Sequence, residues 1–139
     1  MRLLIDTNVV LDVLLRRPPF FEAAAAVLKL CDRDNVQEYI SASAFTDIYY
    51  IASRQLKDKV AVRNMLSQLL RIVSVAAVSE QEIIQALALE WNDFEDSVQY
   101  SVALLGSMDG IVTRNSRDFN EEEIPVWTPE EVVRRLNDM

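Results

Sequence analysis

The chain has 139 residues, half of them hydrophobic, which is enough for one domain with a sizeable core. Its formal net charge of −8 argues against broad electrostatic attraction to nucleic acid or to an anionic membrane. With no histidine, two glycines and one cysteine, the sequence excludes histidine-based nucleophiles and zinc sites, glycine-rich nucleotide loops and an internal disulfide. It has no apolar run of about 18 residues and no signal-peptide pattern, so we expect a cytoplasmic protein that does not enter membranes.

The first element is a short apolar strand, residues 2–5, which stops at Asp6 before a helical pattern over residues 8–15. A short apolar run of this kind is typical of a buried parallel strand that leads into a helix. The carboxyl ends of such strands form the ligand crevice of open α/β sheets, which makes Asp6 a candidate site residue. Capping of the next helix by Asp6 or Asn8 is the alternative interpretation.

The remaining elements alternate between helical and strand patterns along the chain. The sequence predicts helices over residues 8–15, 20–32, 44–52, 60–70, 79–91, 93–105 and 128–137. It predicts strands over residues 2–5, 37–40, 72–75, 110–113 and 124–127, with Pro125 favouring an edge position for the last. This order predicts an α/β fold, a three-layer α/β/α sandwich with a central parallel sheet of about five strands, formed by residues 1–139 as a single domain.

Four aspartates follow predicted strands or begin predicted helices: Asp6, Asp47, Asp96 and Asp118. Because the carboxyl ends of parallel strands share one edge of the sheet, we expect these carboxylates to converge there. Converging carboxylates repel one another unless cations are present, and hard oxygen ligands suit Mg²⁺ or Mn²⁺. Such ions can activate water for phosphodiester hydrolysis, a chemistry that needs no histidine.

Each acid also has a purely structural interpretation. Asp96 and Asp47 are typical of acids in the first turns of helices, with Asp93 as a helix cap, and Asp118 is compatible with a loop turn. Glu95 is rotated away from the face of Asp96, and we expect it to be solvated. The residue pattern alone leaves the metal site and these structural roles open.

Three segments, in the order in which the family has its motifs, resemble the PIN-domain family. This family includes the VapC-like ribonuclease toxins of toxin–antitoxin pairs. The segments are LIDTNV at 4–9, DFED at 93–96 leading into a helix, and IVTRN at 111–115 followed by DF at 118–119. The resemblance spans nearly the whole chain. It implies a Mg²⁺- or Mn²⁺-dependent nuclease acting on RNA, with three or four acids around the metal.

Carried over by position, the resemblance implies that Asp6, Asp96 and Asp118 are catalytic metal ligands. Asp47 takes the place where the family usually has Glu, which puts the geometry of a second metal in doubt. We assign further polar and basic residues to substrate binding: Asn8, Thr113, Arg114, Asn115 and Arg117, with Arg16 and Arg17 as weaker candidates. The resemblance also implies a homodimer and a cognate antitoxin, for which Tyr49, Tyr50, Met65 and Leu66 are candidate contact residues. Core packing is the alternative role for at least half of them.

Two other function classes remain open at the level of sequence. A small-molecule phosphohydrolase of the haloacid-dehalogenase type also begins with a strand-tip Asp. It requires a second Asp two residues later, where this chain has Asn8. A degenerate, non-catalytic PIN interaction module is the other alternative, and Asp47 is the residue that keeps it open. The sequence does not identify the RNA target or the antitoxin.

Overall fold

The computed structural model describes residues 1–119 and 123–138. Its centre is a five-stranded, fully parallel sheet in the order β3-β2-β1-β4-β5. The strands are β1 (Arg2–Ile5), β2 (Gln37–Ser41), β3 (Ser74–Ala76), β4 (Gly110–Val112) and β5 (Val126–Trp127). The expected α/β fold with a parallel sheet of five strands is confirmed, and the strand next to Pro125 lies at an edge as predicted.

Seven helices are described, and most of them coincide with the predicted helical segments. They are α1 (Thr7–Leu14), α2 (Phe21–Lys29), α3 (Ala42–Leu56), α4 (Lys59–Leu69), α5 (Glu80–Leu89), α6 (Phe94–Leu105) and α7 (Pro129–Asn137). Two 3₁₀ turns, Leu30–Asp32 and Ser116–Asp118, complete the elements. Within the described residues, no helix combines the length and the hydropathy that crossing a membrane requires.

Helices cover both faces of the sheet, and alternate residues of its strands point into two separate cores. Leu3 and Ile5 of β1 are fully buried in a core formed with α1, α2, α3, α4 and α7. Leu4, between them, is fully buried in a second core formed with α5 and α6. The period-two alternation of β1 therefore fixes the three layers and holds its carboxyl end, at Asp6, in the middle of the sheet.

Several boundaries differ from the sequence prediction by one to four residues, and the hydrogen bonds explain two of them. β3 begins at Ser74, two residues later than predicted, because the amides of Ile72 and Val73 both bond to the carbonyl of Leu69 and continue the end of α4. α3 continues to Leu56, beyond the predicted end at residue 52. It ends where Lys57 adopts a left-handed conformation and its N–H donates to the carbonyl of Ser53.

Candidate metal centre at the carboxyl edge of the sheet

A cleft of about 520 Å³ opens at the carboxyl ends of the central strands. It is lined by the start of α1, the first turns of α3 and the first turns of α6. α3 begins directly after β2 because the Ser41 hydroxyl caps it, accepting from the Ala44 amide at 3.2 Å. Asp93 caps α6 in the same way, accepting from the Asp96 amide at 3.1 Å. These caps bring the acidic ends of two helices to the tip of β1.

Asp6 is the most constrained acid in the cleft, with 8% of its surface exposed. Its Oδ1 accepts from the Thr7 amide at 2.8 Å and from Gln99 Nε2 at 2.9 Å, and its Oδ2 accepts from Thr113 Oγ1 at 2.8 Å. The capping interpretation of Asp6 is therefore correct in part, since one oxygen accepts from the first amide of α1. The other contacts come from α6 and from the end of β4, so three elements hold this one carboxylate.

Thr113 is the centre of the polar network behind Asp6. Its side chain is fully buried, and its hydroxyl accepts from Asn8 Nδ2 at 3.1 Å and from the Asn115 amide at 3.2 Å while it donates to Asp6. The side-chain Oδ1 of Asn8 accepts from the Arg114 amide at 3.1 Å. The loop after β4 is thereby tied to the start of α1, and the hydroxyl proton of Thr113 is directed at Asp6.

Gln99 is a site residue that the sequence analysis missed. It lies one turn after Asp96 on the same face of α6, with 5% of its surface exposed. Its amide nitrogen donates to Asp6, whereas its Oε1 has no hydrogen-bond partner among the described residues. The signal available in the sequence was a polar residue three positions after Asp96, on the same face of the predicted helix.

Six acids among the described residues line the cleft. They are Asp6, Asp47, Asp93, Glu95, Asp96 and Asp118. Burial, together with the charges of Asp93, Asp6, Asp118 and Glu95, raises the pKa of Asp96 from 3.8 to about 7.

Glu95 belongs to the same acidic group. It is exposed, as expected, but burial of part of its side chain and the charges of Asp47, Asp93 and Asp6 raise its pKa. The carboxylates are therefore close enough to disfavour one another's ionisation, which is the arrangement that a bound cation relieves.

The donor set fits a hard divalent cation. The cleft offers carboxylate oxygens, and the unpartnered Gln99 Oε1 adds a buried acceptor beside Asp6. Within residues 1–119 and 123–138, however, no three acidic or cysteine side chains are grouped so that they could hold an ion as they stand. Mutual repulsion of the carboxylates is a sufficient physical reason for this spacing, because Arg17 is the one cation among the described residues that line the cleft.

Among the residues assigned from the sequence, the cleft brings together all four predicted aspartates, Asn8 and Asn115. Asp47 lies in the second turn of α3, and Asp118 closes the 3₁₀ turn after β4. Thr113 lies behind the cleft surface and reaches it through Asp6. Arg117 is exposed in the turn beside Asp118 and does not line the cleft.

Arg114 is held against α1. Its Nε and one terminal nitrogen donate to the two carboxylate oxygens of Asp12 at 2.8 and 3.1 Å, and its guanidinium carbon lies 4.0 Å from the centre of the Phe20 ring. Asp12 is 1% exposed and also lies 3.7 Å from Arg17. The role of Asp12 has no local signature in the sequence, because its partner Arg114 is 102 residues away along the chain.

Comparison with known families agrees with this fold and these motifs. The family model described as PIN domain matches residues 2–117. The chain therefore belongs to the PIN domain family, whose members include nucleases. Comparison with curated protein sequences finds no match.

Solved structures with the same fold include chains from two complexes and one toxin. A toxin–antitoxin complex from Klebsiella pneumoniae has a TM-score of 0.68 at 24% identity, covering 91% of this chain and 96% of that chain. VapBC2 from Rickettsia felis, bound to a fragment of its promoter DNA, has a TM-score of 0.72 at 16% identity, with 92% and 98% covered. VapC20 from Mycobacterium tuberculosis, a toxin that cleaves the sarcin–ricin loop, has a TM-score of 0.63 at 15% identity, with 78% and 86% covered. At these identities the likeness concerns the fold.

Proposed function

We propose that the protein is a Mg²⁺- or Mn²⁺-dependent endoribonuclease, acting in the cytoplasm as the toxin of a type II toxin–antitoxin pair. The observation that carries the proposal is the crowding of acids around Asp6, a carboxylate held by Thr113 and Gln99 at the carboxyl edge of the sheet. Membership of the PIN domain family supports nuclease activity. Structural likeness to proteins from toxin–antitoxin complexes supports the toxin role.

In this proposal Asp6, Asp96, Asp118 and Asp47 hold the metal. A divalent ion held by these carboxylates would supply an activated water and stabilise the leaving oxygen of the phosphodiester. The chain's own contribution is orientation. Thr113 and Gln99 fix both oxygens of Asp6 before any ligand arrives, so that the carboxylate does not have to be ordered during binding.

Substrate contacts are proposed for the polar rim of the same cleft. Asn8 and Asn115 line it, and Arg117 is exposed beside Asp118. Arg114 contributes a positive charge in a fixed position, since two of its nitrogens donate to Asp12. Arg17 lines the cleft and is a further phosphate contact.

A protein partner is proposed for the exposed apolar surface of the helices. Tyr50 on α3 is 64% exposed, which suits an aromatic anchor for an antitoxin segment. Tyr49, Met65 and Leu66 are partly buried and offer less area. A homodimer is part of the same proposal, by analogy with other PIN-type toxins.

The test is an RNA cleavage assay on purified protein with and without Mn²⁺. We expect cleavage that requires the ion and is lost in Asp6→Asn and Asp96→Asn, both checked for folding by circular dichroism. Asp34→Asn, which changes an exposed acid outside the cleft, is the matched control and should cleave like wild type. Metal-independent cleavage, or full activity of Asp6→Asn, would refute the proposal.

The second candidate is a non-catalytic PIN module that keeps the fold and a partner surface. The observation that favours it is the lack, within the described residues, of three acids already grouped to hold an ion. It predicts a folded protein that binds a partner but cleaves no RNA at any Mn²⁺ concentration. The same assay therefore separates the two functions.

A further inference from the structure

The cleft lining also has apolar side chains beside the acids. Six of them are Leu11, Ile51, Val78, Ile83, Phe94 and Val98. We call these six residues the apolar wall. It lies in the same cleft as Asp6 and Asp96, so a molecule whose phosphate reaches the acids would also contact these side chains.

Phe94 is the aromatic residue of the apolar wall. It is the first residue of α6, directly between Asp93 and Glu95, and 46% of its surface is exposed. Among residues 1–119 and 123–138, no other aromatic ring contacts it. Nearby Trp91, in contrast, packs on Tyr100 with ring centres 5.0 Å apart. Phe94 therefore lines the cleft with a side chain that is about half exposed and belongs to neither buried core.

The charges of the cleft indicate which part of a nucleic acid this ring can hold. Six carboxylates line the cleft, whereas Arg17 is the only cation among the described lining residues. Phosphate groups are repelled by such a surface, so contacts with phosphate contribute little attraction beyond that of a metal ion. Attraction to RNA must then come from its uncharged parts, and aromatic side chains bind unpaired bases of any sequence by stacking.

We propose that Phe94 and the apolar wall form a nucleobase subsite, which takes up an unpaired base next to the phosphate held at the acids. The proposal deepens the ribonuclease function and rests on it for the identity of the ligand. Its consequence is a requirement for single-stranded or looped RNA, because a paired base is not free to enter the cleft. The cleft volume of about 520 Å³ lies within the range of roughly 300–1,000 Å³ typical of small-molecule sites.

The test measures base binding separately from cleavage. The probe is a short oligoribonucleotide with methylphosphonate linkages, which are uncharged, and with the fluorescent base 2-aminopurine in its middle. The buffer contains EDTA, so that no divalent metal contributes. Stacking of the base on an aromatic ring quenches its fluorescence.

We expect wild-type protein to quench the probe. Phe94→Trp should retain the quenching, whereas Phe94→Ala should weaken binding by roughly 5- to 100-fold, the range typical of one stacked base. Leu105→Ala is the matched control, because Leu105 ends the same helix, is 47% exposed and lies outside the cleft lining. It should bind the probe like wild type.

A second readout uses RNA cleavage in Mn²⁺. If Phe94 contacts the substrate, Phe94→Ala raises KM for single-stranded RNA and leaves kcat nearly unchanged, and Phe94→Trp restores KM. Unaltered quenching and KM in Phe94→Ala would overturn the subsite while leaving the ribonuclease function intact. The subsite would also be overturned if wild type failed to bind the probe, or if Phe94→Ala lost only the binding of a protein partner. Quenching without any cleavage would support the subsite and refute the ribonuclease function instead.

Discussion

Glu38 makes the stability of the protein fall as pH rises, and its substitution Glu38→Gln should remove much of that dependence. The side chain is 3% exposed in β2, next to Leu3 of β1, and neither carboxylate oxygen has a hydrogen-bond partner among the described residues. Burial raises the pKa of Glu38 from 4.5 to about 8. At neutral pH the folded protein therefore keeps this carboxyl protonated, whereas the unfolded chain ionises it.

The sign follows from proton linkage. Because the folded state binds the proton more tightly, the contribution of Glu38 to stability is fully present below pH 4.5, falls between pH 4.5 and about 8, and is level above that range. The difference between the two pKa values of Glu38 corresponds to roughly 5 kcal/mol in total. Between pH 5 and pH 8.5 the expected loss is about 4 kcal/mol, which is a large part of a typical stability of roughly 5–15 kcal/mol.

The assay is urea unfolding followed by circular dichroism at pH 5, 7 and 8.5. Glu38→Gln keeps the size and polarity of the side chain but cannot ionise, so the difference in unfolding free energy between variant and wild type isolates the charge. We expect this difference to grow by about 4 kcal/mol from pH 5 to pH 8.5. The matched control is Glu22→Gln, at an exposed position on α2, for which the difference should not change with pH. If the difference in unfolding free energy between Glu38→Gln and wild type were also independent of pH, the Glu38 carboxyl would be solvated or paired, and the reasoning would be wrong.

Four further substitutions, at three positions, test the residues in and around the cleft. Gln99→Leu removes the donor to Asp6 and should lower kcat for RNA by about tenfold with little change in KM, and an unaltered kcat would show that this hydrogen bond is dispensable. Asp12→Ala leaves Arg114 without its carboxylate partner and should cost about 2–4 kcal/mol of unfolding free energy in urea titrations. A cost below about 0.5 kcal/mol would contradict the role of this pair in tying the loop after β4 to α1. Asp47→Glu should raise Mn²⁺ affinity in calorimetry and Asp47→Asn should lower it, and equal affinities would place Asp47 outside the metal site.

The fold and the general position of the cleft were predictable, because both follow from local patterns. The apolar run before Asp6 and the helical periods on either side of each strand define the parallel sheet and the edge at which its acids meet. The elements around Asp96 and Asp118 are likewise predicted from the pattern of the neighbouring residues. Such information is carried within a dozen residues of each acid, so it is readable without knowledge of tertiary contacts.

Contacts that join distant parts of the chain were not predictable. The Asp12–Arg114 pair and the Gln99–Asp6 hydrogen bond span 102 and 93 residues, and neither has a local signature. Glu38 was also missed, because an unpaired glutamate is rarely buried and its strand pattern fits either orientation of the side chain. Sequence patterns thus predicted where the acids lie, but they did not predict which neighbours hold them.

The most direct test of the metal-centre proposal is a crystal structure of the protein soaked in Mn²⁺, with anomalous diffraction data to locate the ion. We predict an anomalous peak in the cleft, with carboxylate oxygens of Asp6 and Asp96 at roughly 2 Å from the ion. Crystals of Asp6→Asn treated identically should lack the peak. A wild-type crystal with no peak in the cleft, from protein that cleaves RNA in the same Mn²⁺ concentration, would contradict the proposal.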